Sequence, residues 1–172
     1  MPDLFPFLLF LHTMFSIVAL GPAYAFPLIG MMGGREPRFA NFATRLTHVI
    51  SDRMVEPSIV VVGVTGVLLI WSRDLPVFEP AYRWLLLSIV LYVGATLFAW
   101  LVQRPTTIRI IELSGGPGGP IPALASPGPG AAGGPPPELA AAVRRSQRNG
   151  LILMTLSVVM ILLMVMKPSL GS

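Results

Sequence analysis

Apolar residues fall into four long stretches, and the charged residues collect between them. The stretches run from Leu4 to about Met32, from Met54 to Trp71, from Ala81 to Val102 and from Leu151 to Met166. Each approaches or exceeds the about 20 apolar residues that carry a helix across a bilayer, so the pattern predicts four transmembrane helices. The first is the longest and holds Gly21-Pro22 and Pro27; each proline removes a backbone hydrogen bond, which predicts a kinked or tilted span. Ala23-Tyr24-Ala25 looks like a signal-peptide cleavage site, but Met1-Pro2-Asp3 puts an acid where a signal peptide carries a base, so a retained span is expected. In the second stretch, Gly63 and Gly66 are expected to admit a neighbouring backbone. Tyr82 and Trp84 at one end of the third, with Trp100 at the other, form an aromatic belt. The fourth is expected to continue a helix that begins near Glu138, after Pro135-Pro136-Pro137.

Gly and Pro make up 16 of the 24 residues from Ser114 to Pro137, with no charge and no aromatic ring. Such a segment buries too little apolar surface to offset its ordering entropy and reads as a flexible extramembrane loop. The chain thus divides into 1–113, with helices one to three and an amphipathic helix near 36–53; the loop 114–137; and 138–172, with the fourth helix and the C-terminus. Composition agrees, since 53% of residues are hydrophobic and 12% charged, against about 25% charged in a soluble domain. The absence of cysteine excludes disulfides, thiolate metal sites and cysteine nucleophiles. The net charge is +4, but the basic residues flank apolar stretches. Lipid headgroups, contacted by Arg144, Arg145 and Arg148, are therefore the expected partner, and nucleic acid is not. Nine cations (Arg35, Arg38, Arg45, Arg53, Arg104, Arg109, Arg144, Arg145 and Arg148) lie on one side, against Arg73, Arg83 and Lys167 on the other. The positive-inside rule places both long loops in the cytoplasm and both termini outside a bacterial inner membrane.

At 100° per residue, Arg38, Asn41, Arg45, His48, Asp52 and Glu56 share an arc of about 80°, opposite Phe39, Ala43, Leu46, Ile50 and Met54. One reading is an amphipathic surface helix whose polar stripe meets water. The other is a helix that runs unbroken into the second span and turns the stripe inward as a polar vestibule open to ions or protons. The carboxylates would then need compensation from His48, Arg104 or Arg109, because Arg45 lies about 10.5 Å along the axis from Asp52.

The two histidines raise haem b ligation, but His12 lies deep in the first span and His48 near the opposite edge, so no shared haem is expected. His12 alone serves as a buried hydrogen-bonding group or as an axial ligand. Met160 and Met164, four residues apart, could line a Cu(I) path, or pack as adaptable apolar side chains. No nucleophile–base pair, phosphate-binding loop or metalloprotease motif is present.

The order Leu11-His12, Gly21, the stretch Arg45 to Asp52, Pro57 and Gly63 resembles an uncharacterised bacterial family of predicted four-helix integral membrane proteins, itself distantly similar to copper-resistance D-type proteins and to four-helix membrane protoporphyrinogen oxidases. The resemblance covers about Leu4 to Pro105. For the haem- and copper-linked relatives it implies a functional histidine in the first span, which maps onto His12. This chain has no second intramembrane histidine, and in the third span only Arg83, at the edge, matches the basic residue those oxidases carry, so their activity is not expected here. The expectation is an all-α, four-helix membrane bundle without enzymatic activity or resident cofactor, acting as a small accessory subunit beside other membrane proteins. The alternatives are a haem- or redox-associated protein using His12 and a proton, ion or copper pathway.

Overall fold

The computed structural model describes residues 4–36, 39–116 and 136–168. Arg38, nearly all of the Gly/Pro segment and Ser169–Ser172 lie outside the described residues. The described chain is helical throughout its spans, in four long helices: α1 (Phe5–Arg35), α2 (Ala40–Ser72), α3 (Pro80–Leu113) and α4 (Pro137–Met166). All four are long and apolar enough to cross a membrane. At 1.5 Å per residue they measure about 45–50 Å, against a hydrocarbon layer of about 30 Å. Roughly a third of each helix therefore projects beyond the apolar layer, and these projecting ends carry most of the charge.

The helices are longer than the apolar stretches, because helix continuation follows hydrogen bonding rather than hydropathy. Pro22 and Pro27 both lie inside α1, which continues past them. In hydrocarbon no water is available to accept a broken backbone bond, so a helix that bends and continues costs less than one that stops. Pro6 sits in the first turn of α1, where its missing N–H has no partner to lose. The N-terminal part of α2, Ala40–Ile50, is one helix with the apolar part that follows it.

α1 packs along α2 and also touches α4; α4 packs along α3, and α3 returns to the first half of α2. The buried positions are mostly small or polar (Ala19, Asn41, Ala43, Ser58, Thr65, Ser88, Asn149 and Ser157), joined by Leu85, Ile110, Ile111 and Leu163. Large apolar residues such as Phe10, Ile17, Val67 and Leu101 face outward. This arrangement suits a lipid solvent, in which helices gain little by hiding apolar surface and associate through close packing and hydrogen bonds. Gly33 shows the approach directly, since a Cβ there would lie 3.1 Å from that of Ala43 across the α1–α2 connection. At the end bearing the chain termini, Arg73 lies 4.0 Å above the Phe5 ring and the Lys167 ammonium 5.8 Å from that of Trp84. Both are cation–π contacts that anchor helix ends at an aromatic belt.

Candidate functional site

Two helices change pitch at the same level. α2 widens to a π turn at Ser51–Val55 and α3 at Ala99–Gln103. A proline follows each turn, with a charged residue between: Glu56-Pro57 in α2 and Arg104-Pro105 in α3. A proline ring presses on the carbonyl four residues earlier, here that of Arg53 or Leu101, and a wider turn moves that carbonyl aside so the helix continues.

The charged residues of these paired turns meet across the helices. Arg104 Nη1 lies 3.7 Å from Glu56 Oε2, and Arg104 Nη2 lies 3.9 Å from Asp52 Oδ1. His48 Nδ1 approaches the same Asp52 oxygen at 3.5 Å from one turn earlier. Two carboxylates thus share one guanidinium. Around them, Asn41 donates to Ser114 Oγ at 2.8 Å, tying the start of α2 to the end of α3. Gln103 donates to Ser146 Oγ at 3.0 Å, tying α3 to α4. Asp52 Oδ1, Gln103 Oε1 and Asn149 Nδ2 are buried without a hydrogen bond among the described residues. These contacts form a polar clamp that holds the charged-end halves of α2 and α3 together.

Beyond the clamp the same two helices separate. Glu56–Ser72 of α2 and Arg83–Phe98 of α3 do not pack along one another. Tyr92 reaches across, its hydroxyl donating to the Ile59 carbonyl at 2.7 Å. Its ring occupies the space above Gly63, where a Cβ would lie 2.6 Å from the hydroxyl oxygen. An apolar groove of about 490 Å³ remains open, lined by Val60, Val64, Val67, Tyr92, Thr96 and Trp100 among others.

On its other side α2 is sealed by α1. His12 Nδ1 lies 3.1 Å from the Val62 carbonyl and 3.1 Å from Thr65 Oγ1. A carbonyl only accepts, so this hydrogen bond puts a proton on Nδ1. The ring lies over Gly66, whose Cβ would come 3.3 Å from His12 Cε1. Gly63 and Gly66 therefore make room for a tyrosine and a histidine ring rather than for the neighbouring backbone expected from sequence.

The predicted site residues distribute as follows. Asn41, His48, Asp52 and Glu56 of the stripe contact one another or α3. Arg45 is exposed and makes no ion pair among the described residues, while Arg38 lies outside them. Arg109 pairs with Glu112 at 3.4 Å and Glu138 at 3.7 Å, away from the clamp. Arg144, Arg145 and Arg148 are exposed on α4. Met160 is half-buried, and Met164 faces outward. Among the described residues no three His, Asp or Glu side chains converge to hold a metal ion. The residue that His12 touches, Val62, is 14 positions from His48 along α2, about 21 Å at helical rise. A bis-histidine haem does not fit that separation. Sequence reasoning missed Tyr92 and Gln103 and named Arg104 only as one of several partners; the repeated charged-residue–Pro pair was the signal for the clamp.

No curated protein and no solved structure matches the chain. A family does: residues 6–117 match that of the predicted integral membrane proteins designated DUF2269. This match takes in nearly all of α1 and the whole of α2 and α3, with the α2–α3 ion pairs and the groove, and ends within the Gly/Pro segment. With four membrane-spanning helices in place and most of its length matched, the chain belongs to this family of integral membrane proteins of unknown function.

Proposed function

We propose that this protein is a small helix-packing subunit of a membrane assembly, and that a transmembrane helix of a partner protein lies in the open seam between α2 and α3. The observation that carries the reading is the contrast along this one helix pair, clamped by charge at one end and held apart over its apolar part. Val60, Val64 and Val67 stand along the seam at spacings of four and three, with exposures of 53%, 55% and 66%. That spacing is the one at which the side chains of a second helix interdigitate. A valine in a helix has essentially one rotamer, so packing against it costs little side-chain entropy. The charged end is assigned to the cytoplasm of a bacterial inner membrane by its excess of arginine, with both termini outside. The test is isolation from the native membrane in a gentle detergent. A defined membrane protein should accompany the wild type and be lost in Val64→Trp, which fills the seam. It should remain in Ile17→Trp, a position 67% exposed on α1. Equal retention in both variants would refute the reading.

A second reading is favoured by the clamp itself. Two carboxylates face one guanidinium, with the His48 imidazole beside Asp52; set against the guanidinium alone they carry one negative charge in excess, beside two buried side-chain oxygens without hydrogen bonds, Asp52 Oδ1 and Gln103 Oε1. A proton or small cation would balance that charge, and ionisable groups at the edge of an apolar layer mark ion and proton pathways. Proton or cation flux into proteoliposomes that Asp52→Asn abolishes would support this reading; flux unchanged by Asp52→Asn, or absent from the wild type, would remove it.

A further inference from the structure

The charged end holds a second opening, between α3 and α4, of about 390 Å³. Leu101, Val102 and Pro105 of α3 and Ala141 and Ala142 of α4 make its walls, and Arg109 and Arg145 stand in its lining. The shape follows from the sequence. Two of the three consecutive alanines Ala140–Ala142 face the opening and leave α4 thin at this point, and the opposite wall on α3 starts in its π turn and continues past Pro105.

Its depth is set by the belt. Arg104 lies 20 residues beyond Trp84, about 30 Å along the helix and so one hydrocarbon thickness from the aromatic ring at the far interface. The crevice therefore straddles the level at which acyl chains end and phosphates begin. Leu101 and Val102 lie on the chain side and Arg109 toward water, while Arg145, about one turn farther into α4 than Ala141 and Ala142, stands between them near the level at which Gln103 meets Ser146.

The charge around it is cationic. Arg144, Arg145 and Arg148 fall within about 100° of one another on the side of α4 that carries Ala141. None of the three makes an ion pair among the described residues. Arg109 is held at 3.4 Å and 3.7 Å by Glu112 and Glu138 through one nitrogen each, which leaves other N–H groups of its five free to donate. A guanidinium binds a phosphate by paired N–H···O contacts that an ammonium cannot reproduce. A choline headgroup would bring its own cation against Arg145, whereas an anionic headgroup would not.

We infer that this crevice binds an anionic phospholipid, its phosphate between Arg109 and Arg145 and an acyl chain along Leu101 and Val102. The assignment does not depend on what occupies the seam between α2 and α3, which faces a different pair of helix surfaces.

The experiment is a lipid competition on the purified full chain in detergent, followed by native mass spectrometry. Phosphatidylglycerol and phosphatidylcholine with matched acyl chains are supplied together. The wild type should retain phosphatidylglycerol about tenfold over phosphatidylcholine, a preference of roughly the size that one charge-assisted contact supplies. Arg145→Gln should bring the ratio near one. Ala142→Leu, which fills the crevice and keeps every arginine, should lose bound phosphatidylglycerol as well. Arg53→Gln, on the exposed surface of α2, should keep the preference. An equal loss in Arg53→Gln would assign the effect to net charge and overturn the site, as would full retention in Ala142→Leu. Inorganic phosphate at millimolar concentration should leave the bound lipid in place; its displacement would mean that the site takes a free phosphate instead.

Discussion

The two ends of the α2–α3 pair are built from the same helices and behave oppositely. Toward the charged end, Arg104 spans Asp52 and Glu56, Asn41 reaches Ser114, and the helices are pinned. Toward the termini the same two helices stand apart, Tyr92 provides a polar link, and a groove lined mainly by apolar side chains stays open. The difference follows from the solvent. Where water is near, ion pairs and hydrogen bonds select one register. Between lipid chains, apolar surface gives helices no reason to close, because acyl chains solvate valine as well as another helix does. A contact that persists there needs either tight geometry, as with His12 over Gly66, or a partner shaped to fit.

Arg104→Glu breaks the comparison most severely. It places a third carboxylate beside Asp52 and Glu56, and should cost about 3 kcal/mol or more in detergent-solubilised thermal unfolding, in the range measured when a buried pair is broken. The pair is only partly buried, with the Arg104 side chain 46% exposed, so Arg104→Gln should cost less, about 1–2 kcal/mol, between the surface and buried limits. Asp52→Asn should cost still less, about 1 kcal/mol or below, because it also relieves the repulsion with Glu56 that one guanidinium leaves in place. On the other side of the comparison, Tyr92→Phe deletes the bond to the Ile59 carbonyl and should cost about 0.5–1 kcal/mol. Val64→Ala, in the open seam, should change the stability of the isolated chain by no more than about 0.5 kcal/mol. A large loss in Val64→Ala would show that the seam is closed within one chain.

The four spans were legible because a helix in lipid must be apolar over a known length, and hydropathy reads that length directly. Pro22 and Pro27 predicted a kinked or tilted first span rather than a broken one, and α1 continues through both. The clamp was only half legible. Helical phase placed Asn41, His48, Asp52 and Glu56 on one side, but that arithmetic assumes 3.6 residues per turn throughout. The π turn at Ser51–Val55 adds a residue, so everything after it lags by about 100° relative to Arg45. Hydropathy carries no signal for such a turn. The prolines that follow both turns do, together with the opposite charges just before them. Tyr92 stayed hidden because an aromatic residue in an apolar span looks the same whether it faces lipid or bridges two helices. Its partner Gly63 was noted, and the space it leaves takes a side chain rather than a backbone.

The claim that a partner helix occupies the seam is tested most directly by cross-linking in the native membrane. A chain without cysteine accepts single cysteines at Val64, in the groove, and at Ile17, exposed on α1, each carrying a benzophenone. On irradiation, Val64→Cys should give one discrete adduct whose cross-link maps to an apolar helix of another membrane protein, and Ile17→Cys should give only lipid adducts. Lipid adducts alone from both positions would contradict the account.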